Sequence, residues 1–70
     1  MDSLPLASVR KRKLLSQRDL AHRAGVALST IYLIEAGKTE RVSFKVMRSV
    51  SEALEVAPES IAEFRRALEA

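Results

Sequence analysis

The chain has 70 residues with 12 basic and 9 acidic side chains, a net charge of +3, no cysteine and a single histidine, His22. We expect one domain over residues 1–70, because a chain this short supports only one core. Since there is no cysteine, disulfides and thiolate metal sites are excluded, and one histidine cannot build a metal site alone. No apolar run approaches the roughly 18 residues of a membrane helix, and the N-terminus lacks a secretory pattern, which favours a cytoplasmic protein without a membrane partner.

The charges are unevenly distributed along the chain. Residues 1–51 carry ten basic and four acidic side chains, a net charge of +6, whereas residues 52–70 carry two basic and five acidic side chains, a net charge of −3. A basic body with an acidic end suggests one surface suited to a polyanion and another that faces away from it. The alternative is a helical protein with ordinary solvated charges.

Almost every segment has the pattern of a helix. Proline stands at 5 and 58, where helices can begin, and glycine at 25 and 37, where they can end. These positions and the apolar periodicity predict an all-α, compact bundle of five helices. The predicted helices cover about residues 5–13, 17–24, 28–36, 44–54 and 58–68.

The first predicted helix has an apolar face, and the second has a defined start and end. Leu6 and Val9 are three residues apart and can face a core. Ser16 precedes the second helix as an N-cap, and Asp19 follows three residues later, which completes a variant of the capping box. Gly25 ends this helix in the left-handed conformation.

The second and third predicted helices have the pattern of a helix-turn-helix unit. The small Ala21 allows the two helices to cross closely, and Gly25 allows the chain to reverse within a few residues. The apolar contact between the helices is expected from Leu20, Ala24, Val26, Ile31 and Ile34. The alternative is a helical hairpin inside some other small bundle.

The last two predicted helices contribute further apolar faces. Ser43 caps the fourth helix, whose buried face is predicted to be Phe44, Met47, Val50 and Leu54. In the fifth helix Ile61, Phe64 and Leu68 are predicted to face inward.

These residues carry a resemblance to a known family. The strings Leu15–Ala21, Ala24–Val26 and Ser29–Lys38 are similar to the signature of phage repressor and Cro proteins, the xenobiotic-response-element type of helix-turn-helix regulator. The resemblance covers about residues 6–64. It implies a lambda-repressor-like fold with the helix-turn-helix in helices 2 and 3. It also implies that the chain is a transcriptional regulator that binds a double-stranded DNA operator sequence-specifically. A repressor associated with the nucleoid is the first expectation.

The resemblance also implies which residues contact DNA. Helix 3 is expected in the major groove, where four outward residues reach base edges: Leu28, Ser29, Tyr32 and Leu33. Phosphates are expected to be contacted by Gln17, Arg18, Thr30, Lys38, Thr39, Arg41 and Ser43. Phosphate contacts supply most of the affinity, and base contacts set the sequence preference.

The expected base-reading face departs from the family pattern, which has polar residues there. Leu28 and Leu33 can touch thymine methyl groups but cannot form bidentate hydrogen bonds to guanine or adenine. We therefore expect modest direct readout that depends on thymine contacts and DNA shape. The alternative is that this apolar face binds a protein partner.

Two further expectations follow from the resemblance. Arg10 in the first helix is expected to pair with Glu35 at the end of the third, the alternative being two exposed charges. Family members bind as two-fold dimers, so a homodimer is expected at least on DNA. Phe64 and Leu68 are the candidate dimer contacts; the alternative is that this stripe closes the monomer core, and Ile61 fits that role better.

Three classes of function remain in competition. The leading hypothesis is a DNA-binding regulator, and the second is an antitoxin-like or adaptor module that mainly holds a protein partner. An enzyme is the least supported, because the sequence has no Gly-rich phosphate loop and no metal-ligand spacing. We accordingly expect no catalytic residue, no metal and no cofactor.

Overall fold

The structure, a computed structural model, describes residues 3–38 and 42–69. Within these ranges the chain forms five α-helices, and a 3₁₀ turn at Pro58–Ser60 precedes the last of them. The helices are α1 (Leu6–Arg12), α2 (Gln17–Ala24), α3 (Leu28–Glu35), α4 (Phe44–Leu54) and α5 (Ala62–Glu69). The predicted bounds of the second and fourth helices are confirmed, whereas α1 and α3 are shorter than predicted at their ends.

The core is built from all five helices around α2, which packs against both α3 and α4. Burying one large apolar side chain contributes roughly 1.5–3 kcal/mol, so this shared core holds the short helices together. Its buried members are Leu6, Val9, Leu20, Ala21, Ile31, Ile34, Met47, Val50, Leu54, Ile61 and Phe64.

Four helices end on a residue in the left-handed conformation. Gly25 and Gly37 have φ of 70° and 83°, and Leu14 and Glu55 have φ of 60° and 58°. At the end of α2 the N–H of Gly25 donates to the carbonyl of His22, and the N–H of Val26 to that of Ala21, which is the Schellman arrangement. Equivalent bonds close α1, α3 and α4. The chain therefore reverses by the same geometry whether or not glycine is present.

Replacing Leu14 with glycine is expected to stabilise the protein. The left-handed conformation costs a residue with a Cβ roughly 1–2 kcal/mol, and glycine's larger unfolded-state entropy offsets roughly 0.4–1 kcal/mol, leaving a gain of about 0.5–1 kcal/mol. The Leu14 side chain is 91% exposed, so its removal sacrifices little packing. Thermal unfolding measures the gain. Lys13→Gly is the matched control, because φ of −92° at Lys13 suits any residue; a stabilised control or an unchanged Leu14→Gly would contradict the argument.

The two ends of the described chain are joined beside the core. The N–H of Leu4 donates to the carbonyl of Ser60 (2.9 Å), and the N–H of Ala62 to that of Leu4 (2.7 Å). This pairing holds Ile61 in an extended conformation. The prediction of one helix over residues 58–68 is therefore wrong: a 3₁₀ turn, an extended residue and then α5 occupy this segment.

A carboxylate on α5 completes the junction. Glu63, only 6% exposed, accepts a hydrogen bond from the backbone N–H of Leu6 at 2.8 Å. This bond satisfies one of the free donors at the start of α1 and places a negative charge where the helix dipole favours one. The last helix thus stabilises the start of the first.

Two predictions about phenylalanines are wrong, in opposite directions. Phe64 is fully buried in the core, so its predicted inward position is confirmed, but its predicted role as a dimer contact is wrong because it offers no surface to a second subunit. Phe44, predicted to be buried, is 71% exposed. It is the first residue of α4, and the buried positions of that helix begin one turn later at Met47. The predicted inward position of Leu68 is also not met, since this side chain is 44% exposed.

Candidate functional site

The start of α2 is fixed by a complete capping box. The backbone N–H of Asp19 donates to Ser16 Oγ (3.0 Å), and the backbone N–H of Ser16 donates to Asp19 Oδ2 (3.1 Å). These reciprocal bonds satisfy two backbone donors and set where the helix begins. Together with the Schellman turn at Gly25, they define both ends of α2 and so the direction in which α3 leaves.

Acid is expected to weaken this cap. The hydrogen bond from the Ser16 backbone lowers the pKa of Asp19 below its ordinary value of 3.8, with further lowering from the Ser16 hydroxyl, Arg23 and His22. A lowered folded-state pKa gives stability that is present above the unfolded value and lost as the pH falls through the folded one. Asp19→Asn should therefore destabilise the protein at neutral pH and converge with the wild type in acid. Urea unfolding from neutral to acidic pH measures the difference in unfolding free energy between the variant and the wild type. A difference that does not change with pH would contradict the assignment.

The outward face of α3 is formed by the four residues expected at base edges. Ile31 and Ile34 are fully buried and anchor the opposite face of the helix. Tyr32 is 63% exposed, Leu28 and Leu33 are 39% and 38% exposed, and Ser29 is also exposed. The helix therefore presents two partly packed leucines flanking a tyrosine and a serine.

The expected ion pair between Arg10 and Glu35 is present and extends into a network. Arg10 Nε donates to Glu35 Oε2 at 2.7 Å, and both side chains are 10% exposed. Arg10 Nη1 donates to the carbonyl of Leu15 (2.8 Å), and Gln17 Nε2 donates to Glu35 Oε1 (2.9 Å). Glu35 thus joins the end of α3 to α1 and to the start of α2, and Arg10 in turn bonds the α1–α2 turn at Leu15. This network orients the exposed face of α3.

Two of the seven residues expected at phosphates, Gln17 and Arg18, lie beside this network. Gln17, Arg18 and Leu28 line one open cleft of about 440 Å³ together with Arg10 and Ser16. Arg18 and Lys38 are exposed, and Thr30 is half-buried in the first turn of α3. Thr39 and Arg41, also expected at phosphates, lie outside the described residues.

The hydroxyl of Ser43 already has a structural partner. The N–H of Val46 donates to Ser43 Oγ at 3.2 Å, so this side chain caps α4. A serine hydroxyl can accept this bond and still donate its own hydrogen. The capping role and the expected phosphate contact are therefore compatible.

Sequence reasoning missed an apolar groove whose lining includes no residue of α2 or α3. The groove has a volume of about 260 Å³ and lies between the start of α4 and the end of α5. We name it the α4–α5 groove; it is lined by Phe44, Met47, Arg48, Pro58 and Leu68. The apolar spacing of Phe44 and Met47 is that of a core face, so the sequence carried no sign that Phe44 is exposed.

Other kinds of site find little support in the described ranges. No helix there is both long and apolar enough to cross a bilayer. In the same ranges, acidic and histidine side chains form no group of three or more arranged to hold a metal ion.

Comparison with known proteins gives one match. A family model described as helix-turn-helix matches residues 6–61, which run from the start of α1 to the residue before α5 and include α2 and α3. The comparisons with curated proteins and with solved structures gave no match.

Proposed function

The chain belongs to the helix-turn-helix family of phage repressor and Cro type, a family of DNA-binding transcription regulators with the all-α lambda-repressor-like fold, and from this premise we propose that it is a sequence-specific repressor whose α3 enters the major groove. The observation that carries the proposal is the exposed face of α3. Tyr32 and Ser29 project from a helix whose opposite side is held in the core by Ile31 and Ile34. The major groove is wide enough to admit an α-helix, and a helix anchored on its inner side can present its outer side to the base edges.

The surroundings of α3 suit a DNA backbone. Arg18 is exposed at the start of α2, beside the cleft that Leu28 also lines. Gln17 uses one amide hydrogen for Glu35 and keeps a second for a phosphate. The proposal includes three further phosphate contacts among the described residues, from Thr30, Lys38 and Ser43. It also includes Thr39 and Arg41, which lie outside the described residues and are proposed on the sequence alone.

We further propose that two copies bind the operator and touch through the α4–α5 groove. Phe44 and Leu68 are large exposed apolar side chains that line it. Arg48 lies on its α4 side, and the exposed Glu59 follows Pro58 on the other, so a two-fold contact can bring opposite charges together. This apolar patch is small beside the roughly 800 Å² that each partner buries in a stable complex. The dimer therefore forms on DNA rather than in free solution.

The test begins with selection of bound duplexes from random DNA, followed by titration of the best duplex at two salt concentrations. A dimer that neutralises roughly six to ten phosphates loses affinity about a thousandfold or more between about 50 and 200 mM salt. An adaptor that needs a protein partner would bind every duplex weakly and without sequence preference, and that result would contradict the proposal. Sedimentation of the complex tests the dimer, which a single copy on the operator would exclude.

Two arginine variants sharpen the titration. Arg18→Ala should weaken binding to all sequences and reduce the salt slope by about one unit, because one phosphate contact is lost. Arg66→Ala is the matched control, since Arg66 is an exposed arginine on α5 outside the proposed DNA surface. Equal losses from both variants would contradict the assignment of Arg18.

A further inference from the structure

The exposed face of α3 has almost no group that can identify a base by hydrogen bonding. Residues Leu28–Glu35 have the sequence LSTIYLIE, without arginine, lysine, asparagine or glutamine. These four residue types make the bidentate bonds that select guanine or adenine. The helix has one charged side chain, Glu35, and its two carboxylate oxygens are engaged by Arg10 and Gln17. Recognition by this face must therefore depend mainly on its hydrocarbon surface.

The two leucines on this face are suited to one feature of the major groove. Leu28 and Leu33 are a little over one-third exposed, so each presents part of its side chain while the rest is packed against the protein. The apolar group that thymine displays in the groove is its C5-methyl group. A partly immobilised leucine can bury a methyl group with little further loss of side-chain entropy.

We propose, on the basis of the function proposed above, that Leu28 and Leu33 recognise pyrimidine C5-methyl groups, whether these belong to thymine or to 5-methylcytosine. Thymine differs from cytosine in the groove by this methyl group and by an O4 acceptor in place of an N4 amino donor. Leucine has no donor or acceptor, so it does not distinguish O4 from the amino group. Since 5-methylcytosine carries its methyl on the same ring carbon, the operator affinity is sensitive to cytosine methylation.

The neighbouring hydroxyl groups do not remove this ambiguity. Ser29 and Tyr32 each carry a hydroxyl that can donate or accept. Such a group adapts to O4 or to N4 by rotating its hydrogen. The presence of the methyl group is therefore the feature that changes the affinity.

The expected effect can be scaled from the transfer free energy of a methyl-sized group. Burial of one such group changes an equilibrium constant about fourfold at room temperature. A dimer that contacts one methyl group with each of its leucines would bury four, and four independent contacts multiply to about 250-fold.

The experiment uses the duplex selected from random DNA and depends on two comparisons that each differ by one methyl group: thymine against uracil, and 5-methylcytosine against cytosine. Each thymine is replaced in turn by uracil, and at positions that respond the T·A pair is replaced by C·G and by 5-methylcytosine·G. We expect a loss of about fourfold at each contacted thymine, a similar loss with C·G, and recovery to within about twofold with 5-methylcytosine·G. These substitutions alter the DNA alone, so protein folding cannot affect the comparison.

Protein variants assign the contacts. Leu28→Ala and Leu33→Ala should each abolish the response to uracil at different positions. Leu14→Ala, at an exposed leucine outside α3, should leave every response intact. Sequence-specific binding that no uracil substitution weakens, or a 5-methylcytosine·G pair that binds as poorly as C·G, would overturn this inference and leave the proposed function standing. A chain that binds no duplex with sequence preference would overturn both.

Discussion

Replacing Glu35 with alanine is expected to cost about 3–5 kcal/mol of unfolding free energy, because it leaves Arg10 buried without its counter-charge. The variant also leaves without a protein partner the Gln17 amide hydrogen that bonds Glu35 Oε1. A domain of this length has only roughly 4–10 kcal/mol of total stability. Urea unfolding followed by circular dichroism should therefore find the variant near the edge of folding at room temperature.

Two controls separate this effect from a general loss of helix charge. Glu69→Ala removes the carboxylate from an exposed ion pair with Arg65 and should cost less than about 0.5 kcal/mol. The double variant Arg10→Met/Glu35→Leu replaces both charges with apolar groups and should recover most of the loss. Equal costs for Glu35→Ala and Glu69→Ala would mean that the network contributes no more than a surface pair.

Phe64→Ala is expected to cost about 3–5 kcal/mol, because it opens a cavity at a fully buried position. Phe44→Ala is the matched control: the same substitution at an exposed position should change the stability of the free protein by less than about 0.5 kcal/mol. Thermal unfolding resolves the two, since each kcal/mol shifts Tm by about 4–8 °C in a domain of this size. If Phe44→Ala cost as much stability as Phe64→Ala, Phe44 would have to be part of the core, which would contradict its exposure in the structure.

The parts of the fold that follow from local sequence were predicted well. Ser16 with Asp19 marks the start of α2, and Gly25 marks its end, and both act as expected. The end of α1 could not be located in the same way, because Leu14 occupies the left-handed position where glycine is usual. The last helix was predicted to begin too early, since Ile61 is held extended by Leu4, more than fifty residues away. Local propensity does not contain such a contact.

The candidate site divides along a similar line. The outward residues of α3 follow from helical periodicity, because Ile31 and Ile34 occupy the buried side. The pairing of Arg10 with Glu35 was implied by the family resemblance and not by any local pattern. Phe44 and Phe64 have similar apolar spacing within their helices, yet one is exposed and the other is buried. Their difference depends on where each helix ends relative to its neighbours, which periodicity does not specify.

The most direct test of the account follows backbone amide NMR signals of the protein as the selected duplex is added. If the outer side of α3 lies in the major groove, the largest changes should occur at Ser29, Tyr32 and the adjoining start of α2, with little change at the buried Phe64. Changes confined to the lining of the α4–α5 groove, with α3 unaffected, would contradict the account.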